Sequence, residues 1–440
     1  MPISGSNAEN PIARNAMTPA QIGIVALCVC LNALDGFEVL AISFAAPGIA
    51  EQWGIDRAAL GVVLSMELIG MAIGSVLLGS LADQRGRKPV IIVCLLLMAL
   101  GMVAASVAGG VVHLSLARLI TGLGIGGMLA TTNAVVSEFA SERNRSMVVS
   151  WMATGYPLGV VVGGSIVSVL LVYFDWRSVF VFGALLSLAF LPWVIFGLPE
   201  SVGYLSRQSS PNALHKVNAV LKKIGHKPVA SLEYWAKHER SSGLRELFAP
   251  SVVRTTILLT LAYFTHIITF YFILKWVPKI VVDLGYSASS AGGVLVWANI
   301  GGIVGSLLLS FLTRKFYLRA LVLATLAGSA ISVTVFGLLA TNLATLTVGA
   351  ACVGFFTNSA VVGMYAMFAQ RFPERIRASG TGFVIGFGRG GAALGPIFAG
   401  YLFATGQPLE IVSAFMALGA LVAAAALLGL SSTQKNLADN

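Results

Sequence analysis

The feature that most constrains this chain is a series of long apolar segments separated by short polar ones. Twelve such segments, the first at 21–46 and the last at 408–430, contain few charged residues. Each is long enough to cross the hydrocarbon core of a bilayer as a helix of about 20 residues. Only 10% of the 440 residues are charged, whereas typical soluble domains contain about 25%. We therefore predict an all-α polytopic membrane protein with twelve transmembrane helices.

The basic residues indicate how the chain is oriented. Most of the 28 Lys and Arg residues fall in the two terminal segments and in every second loop, and the net charge is +10. Positively charged loops are retained on the cytoplasmic side of a membrane, so both termini are expected in the cytoplasm and the chain in a bacterial inner membrane. The basic residues form no stripe interleaved with aromatic residues, so the lipid bilayer, and not nucleic acid, is the expected partner.

One long hydrophilic stretch divides the spans into six and six. The predicted organisation is a cytoplasmic tail at 1–20, a six-helix bundle at 21–197, a cytoplasmic linker at 198–253, a second six-helix bundle at 254–430 and a cytoplasmic tail at 431–440. Three glycines of the fifth span recur in the eleventh at an offset of 231 residues. Such a repeat is typical of membrane proteins built from two related bundles around a shared interface.

The loop between the second and third spans reads Gly-Ser-Leu-Ala-Asp-Gln-Arg-Gly-Arg-Lys over residues 79–88. It resembles the GxLADRxGRK signature of the major facilitator superfamily, although Gln84 and Arg85 stand where the signature has Arg and a variable residue. The resemblance implies a transporter made of two six-helix bundles. Asp83 can accept hydrogen bonds from an Arg or a helix N-terminus when the cytoplasmic side is closed, so Asp83 and Arg87 are predicted gating residues.

Two acidic residues, Asp35 and Glu38, interrupt the first span near the middle of the bilayer. Three residues apart on a helix, they face the same side. Charged carboxylates are costly in a membrane, and two so close together favour proton binding by at least one, as a proton carrier requires. The alternative for either is a permanent ion pair with an Arg. The sequence Asp-Gly-Phe-Glu resembles the DGFD motif of the aromatic acid:proton symporter family within the superfamily, with Glu38 in place of the final Asp.

Three further charged residues are candidates for gating or for proton binding. Glu138, at the end of the fourth span, and Arg377, at the start of the eleventh, resemble charged positions of the same family. Both are predicted gating residues, with helix-end charges as the alternative. Glu67, in the second span, is either a secondary proton site or an acid with a permanent partner.

Two basic residues are predicted to bind the transported anion. Arg389 lies among glycines within the eleventh span, where an unpaired Arg is expensive. It is expected to bind a substrate carboxylate through two parallel hydrogen bonds, or to pair with Asp35 or Glu38. Arg118, in the fourth span, precedes glycines in a pattern that resembles the superfamily's RxxxGxGxG. These glycines are interpreted as packing residues, and Arg118 as a substrate-binding candidate.

Polar and aromatic side chains in other spans are candidates for lining a central cavity. Tyr156 in the fifth span, His266 in the seventh and Asn358 in the tenth are predicted substrate-binding residues. The alternative for each is an ordinary packing role, which is common for aromatic residues and isolated histidines in apolar helices.

Three functions compete for such a chain. The preferred one is a proton-coupled symporter, working as a monomer, that imports an aromatic carboxylic acid of the benzoate, hydroxybenzoate or protocatechuate type. A symporter of a non-aromatic acid of the muconate, lactone or quinate type is the alternative, and a proton-driven drug exporter is less favoured because Val160 replaces the proline of the exporters' GxxxGPxxGG motif. No catalytic motif indicates an enzyme. No metal or cofactor is expected, since the four cysteines lack metal-site spacing.

Overall fold

The computed structural model describes residues 11–208, 212–232, 244–338, 342–373 and 376–430. The predicted C-terminal tail at 431–440, half of the predicted N-terminal tail and part of the linker therefore lie outside the described residues. Within the described ranges, twelve helices are long and apolar enough to span a membrane. They are α1 (Pro19–Trp53), α2 (Arg57–Arg85), α3 (Arg87–Ser106), α4 (Val111–Phe139), α5 (Arg145–Tyr173), α6 (Arg177–Gly197), α7 (Val253–Asp283), α8 (Ala288–Leu312), α9 (Leu318–Leu338), α10 (Leu343–Arg371), α11 (Arg377–Ala404) and α12 (Leu409–Leu428). The predicted all-α fold with twelve spans is confirmed.

The segment between α6 and α7 packs against the start of α1. It contains the short helices Val202–Arg207 and Ala213–Lys223. Thr18 caps the N-terminus of α1 and also donates a hydrogen bond to the Ile224 carbonyl at 2.7 Å. We call this end of the bundle the linker end, and the opposite end, where α1 finishes, the far end.

Glycines let the helices within each half approach until their backbones touch. In the first half, a Cβ atom on Gly159 of α5 would lie 1.7 Å from the Ala33 carbonyl oxygen of α1. In the second half, a Cβ atom on Gly391 of α11 would lie 2.4 Å from the Phe264 carbonyl oxygen of α7. The two contacts join the first and fifth helices of each half, and they fix the height of α1 and α11, which carry the charged residues predicted to act in transport.

The two halves meet mainly through three pairs of helices, α2 with α11, α5 with α8 and α1 with α7, and α1 also contacts α8. At the far end, a Cβ atom on Gly61 would lie 2.6 Å from the Pro396 carbonyl oxygen, and one on Gly400 would lie 2.6 Å from the Arg57 carbonyl oxygen. Arg57 also forms an ion pair with Asp283 at 3.0 Å across the halves. The far end is therefore closed by direct contact between α2 and α11.

Replacing Gly159 by Ala is expected to destabilise the fold. Because the added Cβ would collide with the α1 backbone, the two helices must separate, at a cost of about 2 kcal/mol. The thermal-unfolding temperature of the detergent-solubilised protein should fall. Gly23→Ala is the matched control, since nothing lies within 4 Å of a Cβ there, and it should leave that temperature unchanged or raise it. Equal unfolding temperatures for the two variants would contradict the contact.

Candidate functional site

The two acidic residues of α1 lie near its middle and are fully buried. Asp35 is 1% exposed and Glu38 is 0% exposed. Neither carboxylate oxygen of Asp35 has a hydrogen-bond partner among the described residues. One oxygen of Glu38 accepts a hydrogen bond from the Ser187 hydroxyl of α6, while its other oxygen has no partner in the same part of the chain. Within the described part of the chain, neither acid forms the ion pair with an Arg that was considered as an alternative.

Glu67 of α2 is the acid that does have a permanent partner. It forms an ion pair with Arg118 of α4, and both side chains are 0% exposed. The Arg118 guanidinium also donates to the Glu38 carbonyl at 2.8 Å and lies over the Phe180 ring. Arg118, predicted to bind the transported anion, is thus neutralised by Glu67 and enclosed within the first half, so it holds α1, α2 and α4 together.

A second cation approaches Glu67 from the other half. The Lys275 ammonium of α7 lies 3.6 Å from a Glu67 carboxylate oxygen and donates a hydrogen bond to the Val39 carbonyl. Lys275 is 0% exposed. Lys275 is not among the candidates from the sequence, and it lies within α7, which continues to Asp283. The signal that it lies within the helix is the apolar sequence Ile-Val-Val at 280–282, which follows it.

Arg389 lies near the middle of α11 and is only partly buried. Its one hydrogen bond to the described residues runs from a terminal guanidinium nitrogen to the Met71 carbonyl at 2.8 Å. It lies within electrostatic reach of Asp35 but forms no ion pair with Asp35 or Glu38. Arg389 therefore keeps donor groups for another acceptor, as recognition of a carboxylate requires.

Tyrosines surround Arg389. Those within its electrostatic reach are Tyr263, Tyr271 and Tyr365. The Tyr263 and Tyr365 hydroxyls are 2.9 Å apart, and a Cβ atom on Gly388 would lie 2.2 Å from the Tyr263 ring. Glycine at that position is thus what allows the ring to pack against α11. The sequence analysis did not single out Tyr263 or Tyr365, because tyrosines in apolar helices usually only pack.

A small cavity lies between the halves. Tyr156 and Pro157 line it from the first half, and Asn299 and Asn358 are among its residues from the second. Its volume is about 20 Å³, which is room for roughly one water molecule. The hydroxyl of Tyr156 is also within electrostatic reach of Asp35. An aromatic acid could enter this space only after the halves separate.

The other two predicted substrate-binding residues have different surroundings. Asn358 lines the cavity, and its amide donates hydrogen bonds to the Gly302 carbonyl at 3.1 Å and the Ser306 hydroxyl at 2.9 Å. His266 does not line the cavity. It is 0% exposed, and its Nε2 lies 3.0 Å from the Thr357 carbonyl oxygen. Because a carbonyl only accepts, Nε2 carries the proton, and the ring joins α7 to α10.

The predicted gating residues lie at the linker end. Arg87 and Glu138 form an ion pair at 2.6 Å, Asp83 is exposed, and Arg377 is the first residue of α11. Glu200, which the sequence analysis missed, accepts hydrogen bonds from the backbone nitrogens of Arg87 and Lys88 at the N-terminus of α3.

Gly86 makes room for this contact. Its φ of +103° favours glycine, and a Cβ there would lie 2.5 Å from a Glu200 carboxylate oxygen. The Glu200 carboxylate, at the N-terminus of α3, thus joins the loop at 79–88 to the start of the linker.

Comparison with known proteins identifies the family. A family model described as Major Facilitator Superfamily matches residues 25–316 and 259–437. The chain belongs to the major facilitator superfamily. Among solved structures, the inward open conformation of the xylose transporter XylE from Escherichia coli shares the fold, with a TM-score of 0.76 at 17% identity over 94% of this chain and 98% of that chain.

The superfamily members most informative about this chain are transporters of aromatic acids. The gallate transporter of Pseudomonas putida is 30% identical over 92% of this chain and 90% of its own length. The 4-hydroxybenzoate transporter of Pseudomonas aeruginosa is 32% identical over 94% and 93%. The 3-(3-hydroxy-phenyl)propionate transporter of Escherichia coli is 30% identical over 94% of each chain. The chain is therefore a multi-pass membrane transporter and not an enzyme, and its resemblance to the aromatic acid transporter family is confirmed.

Glu67, which has an ion-pair partner, can be distinguished from Asp35, which has none among the described residues, by neutralising each acid in turn. Glu67→Gln leaves the fully buried Arg118 without its counter-ion, so we expect a loss of about 3 kcal/mol of stability. Asp35→Asn removes a carboxylate that has no partner among the described residues and should not destabilise. Thermal unfolding of the two detergent-solubilised variants checks this. A larger loss for Asp35→Asn than for Glu67→Gln would contradict the assignment.

Proposed function

We propose that the chain imports an aromatic monocarboxylate of the benzoate, hydroxybenzoate or protocatechuate type together with a proton. The observation that carries the proposal is Asp35, an acid buried in the middle of a membrane helix whose two oxygens have no partner among the described residues. A carboxylate that stays charged in such a place is costly. Proton binding removes this cost, and proton release follows when the site is exposed to water.

The substrate class is proposed from Arg389 and its surroundings. A partly buried guanidinium with free donors suits a carboxylate, and the nearby tyrosines offer both ring faces and hydroxyl groups to an aromatic ring. The names of the gallate, 4-hydroxybenzoate and 3-(3-hydroxy-phenyl)propionate transporters support the same class. Tyr156 and Asn358 are the proposed contacts on the cavity side. Arg118, already paired with Glu67, is proposed to hold α1 in place.

Alternating access is the proposed mechanism. The far end is closed by contacts of α2 with α11, and the cavity lined by Tyr156 and Asn358 is too small for an aromatic acid. Substrate entry from the far side therefore requires the halves to rock apart there. The exposed Asp83 lies at the opposite end, where we propose that it helps to close the linker end in the other state, and that the Arg87–Glu138 ion pair within the first half positions the loop that carries it.

The topology is part of the proposal. We propose that the chain lies in a bacterial inner membrane with the linker and both termini in the cytoplasm, because the linker and the loops at the linker end hold most of its Lys and Arg residues. The far end then faces outward. The two six-helix bundles at 21–197 and 254–430 are proposed as the moving units, and a single chain as the functional unit.

Uptake of radiolabelled 4-hydroxybenzoate into proteoliposomes tests the function. The parent protein should accumulate the acid under an inward proton gradient and lose accumulation when the gradient is collapsed. Arg389→Ala should raise the half-saturating concentration by on the order of 30-fold, because a charge-assisted contact in a partly buried site is lost. Arg314→Ala, at an exposed loop position, is the matched control and should behave as the parent does.

The role of Asp35 needs a second measurement on the same liposomes. Asp35→Asn should abolish accumulation driven by the gradient, yet retain exchange of labelled for unlabelled acid at equal pH, because exchange requires no net proton movement. Gradient-driven accumulation by this variant would refute proton coupling at Asp35. Stronger competition by a muconate or quinate than by unlabelled 4-hydroxybenzoate would assign the site to a non-aromatic acid.

A further inference from the structure

Lys275 is the buried cation of the second half that reaches into the first. Its ammonium contacts the Glu67 carboxylate of α2 and the Val39 carbonyl of α1. The neighbouring Trp276 anchors α7 to its own half, since its indole nitrogen donates to the Pro396 carbonyl at 3.1 Å. The two adjacent residues therefore attach α7 to opposite halves of the protein.

The contact lies between the central charged residues and the far end. At about 1.5 Å per helical residue, Lys275 lies about 12 Å from the far end of α7, and Glu67 lies about 15 Å from the far end of α2. Asp35 and Arg389 lie farther from the far end, near the middles of α1 and α11. When the halves rock apart at the far end, atoms at the level of Lys275 and Glu67 must separate.

Separation does not affect the two ions equally. Glu67 keeps its ion pair with Arg118, because both residues belong to the first half. Lys275 loses its carboxylate and its carbonyl acceptor together, because both belong to the opposite half. An ammonium without an anion in a membrane protein is costly unless water reaches it. Among the cations with contacts across the halves, Lys275 is fully buried, whereas Arg389 and Arg57 are not, so separation costs the most at Lys275.

We propose that Lys275 is a latch whose ion pair with Glu67 stabilises the closed far end and breaks in every transport cycle. It is a positioning residue, which acts on the equilibrium between the two states. The latch also contacts the segment that carries the acids, because Arg118 and Lys275 bind the consecutive carbonyls of Glu38 and Val39. The proposal rests on alternating access in the proposed function, but on neither the substrate nor proton coupling.

The latch can be tested by measuring the distance between two spin labels with double electron–electron resonance. The labels are placed at the exposed far-end positions Gly109 and Thr405, one in each half, on full-length protein whose cysteines are replaced by alanine (Cys28, Cys30, Cys94 and Cys352). Lys275→Met, which keeps the length of the side chain and removes its charge, should raise the ratio of long to short distances by about fivefold or more. Lys275→Arg should restore the short-distance population.

Arg57→Gln is the matched control, because it breaks a cross-half ion pair that is exposed, with side chains 43% and 29% accessible. Exposed ion pairs contribute little to stability, so the distances between the labels should equal those of the parent. An unchanged distribution for Lys275→Met, an equal shift for Arg57→Gln, or failure of Lys275→Arg to restore the short distance would each overturn the latch. If Lys275→Met is not monodisperse, Lys275→Gln takes its place.

These measurements use neither substrate nor a proton gradient. A transporter of a different acid, or one without proton coupling, would still show the shift. If the parent does not take up 4-hydroxybenzoate but Lys275→Met still increases the long distances, the proposed substrate is refuted and the latch is supported.

Discussion

The carboxylate of Glu67, held between two cations that are as fully buried as it is, makes the interaction on which the rest of the site depends. It neutralises Arg118 within the first half and attracts Lys275 from the second. Without this carboxylate, two buried cations would lie close together with only carbonyl oxygens as acceptors. The desolvation of two unpaired charges would then destabilise the fold. Because Arg118 in turn binds the Glu38 carbonyl, this one side chain, together with the glycine contacts, helps to fix the height of Asp35 and Glu38.

Close helix packing is what makes this arrangement possible. Helices in a membrane gain no hydrophobic stabilisation by leaving lipid, so they associate where small residues allow backbone contact. A Cβ atom on Gly122 would lie 2.1 Å from the Glu67 carbonyl oxygen, and one on Gly36 would lie 2.1 Å from the Tyr156 carbonyl oxygen. The first contact brings α2 and α4 close enough for Glu67 to reach Arg118. The second presses the acid-bearing segment of α1 against α5.

The fold was predictable from the sequence because the bilayer imposes a length and a polarity on every span, and twelve apolar segments satisfy both. The charged residues were found for the same reason, since Asp35, Glu38, Glu67, Arg118 and Arg389 each interrupt an apolar run. Their pairing was not predictable. Which acid meets which base depends on the rotation and height of helices far apart in the chain, so the pairing of Arg118, a substrate-binding candidate, with Glu67 could not be predicted from the sequence. Lys275 was not singled out, because it lies near the end of an apolar run and a second lysine, Lys279, follows it.

The distribution of charge between the halves explains why a proton and an organic anion would move together. Among the described residues, the first half contributes three acids and Arg118 to the buried site, and the second contributes Lys275 and Arg389. With every group charged, acids and bases balance. A proton on one acid leaves one positive charge without compensation, beside a guanidinium that retains free donors. A monocarboxylate restores the balance, so each ligand lowers the cost of burying the other, and thermodynamic linkage makes that preference mutual.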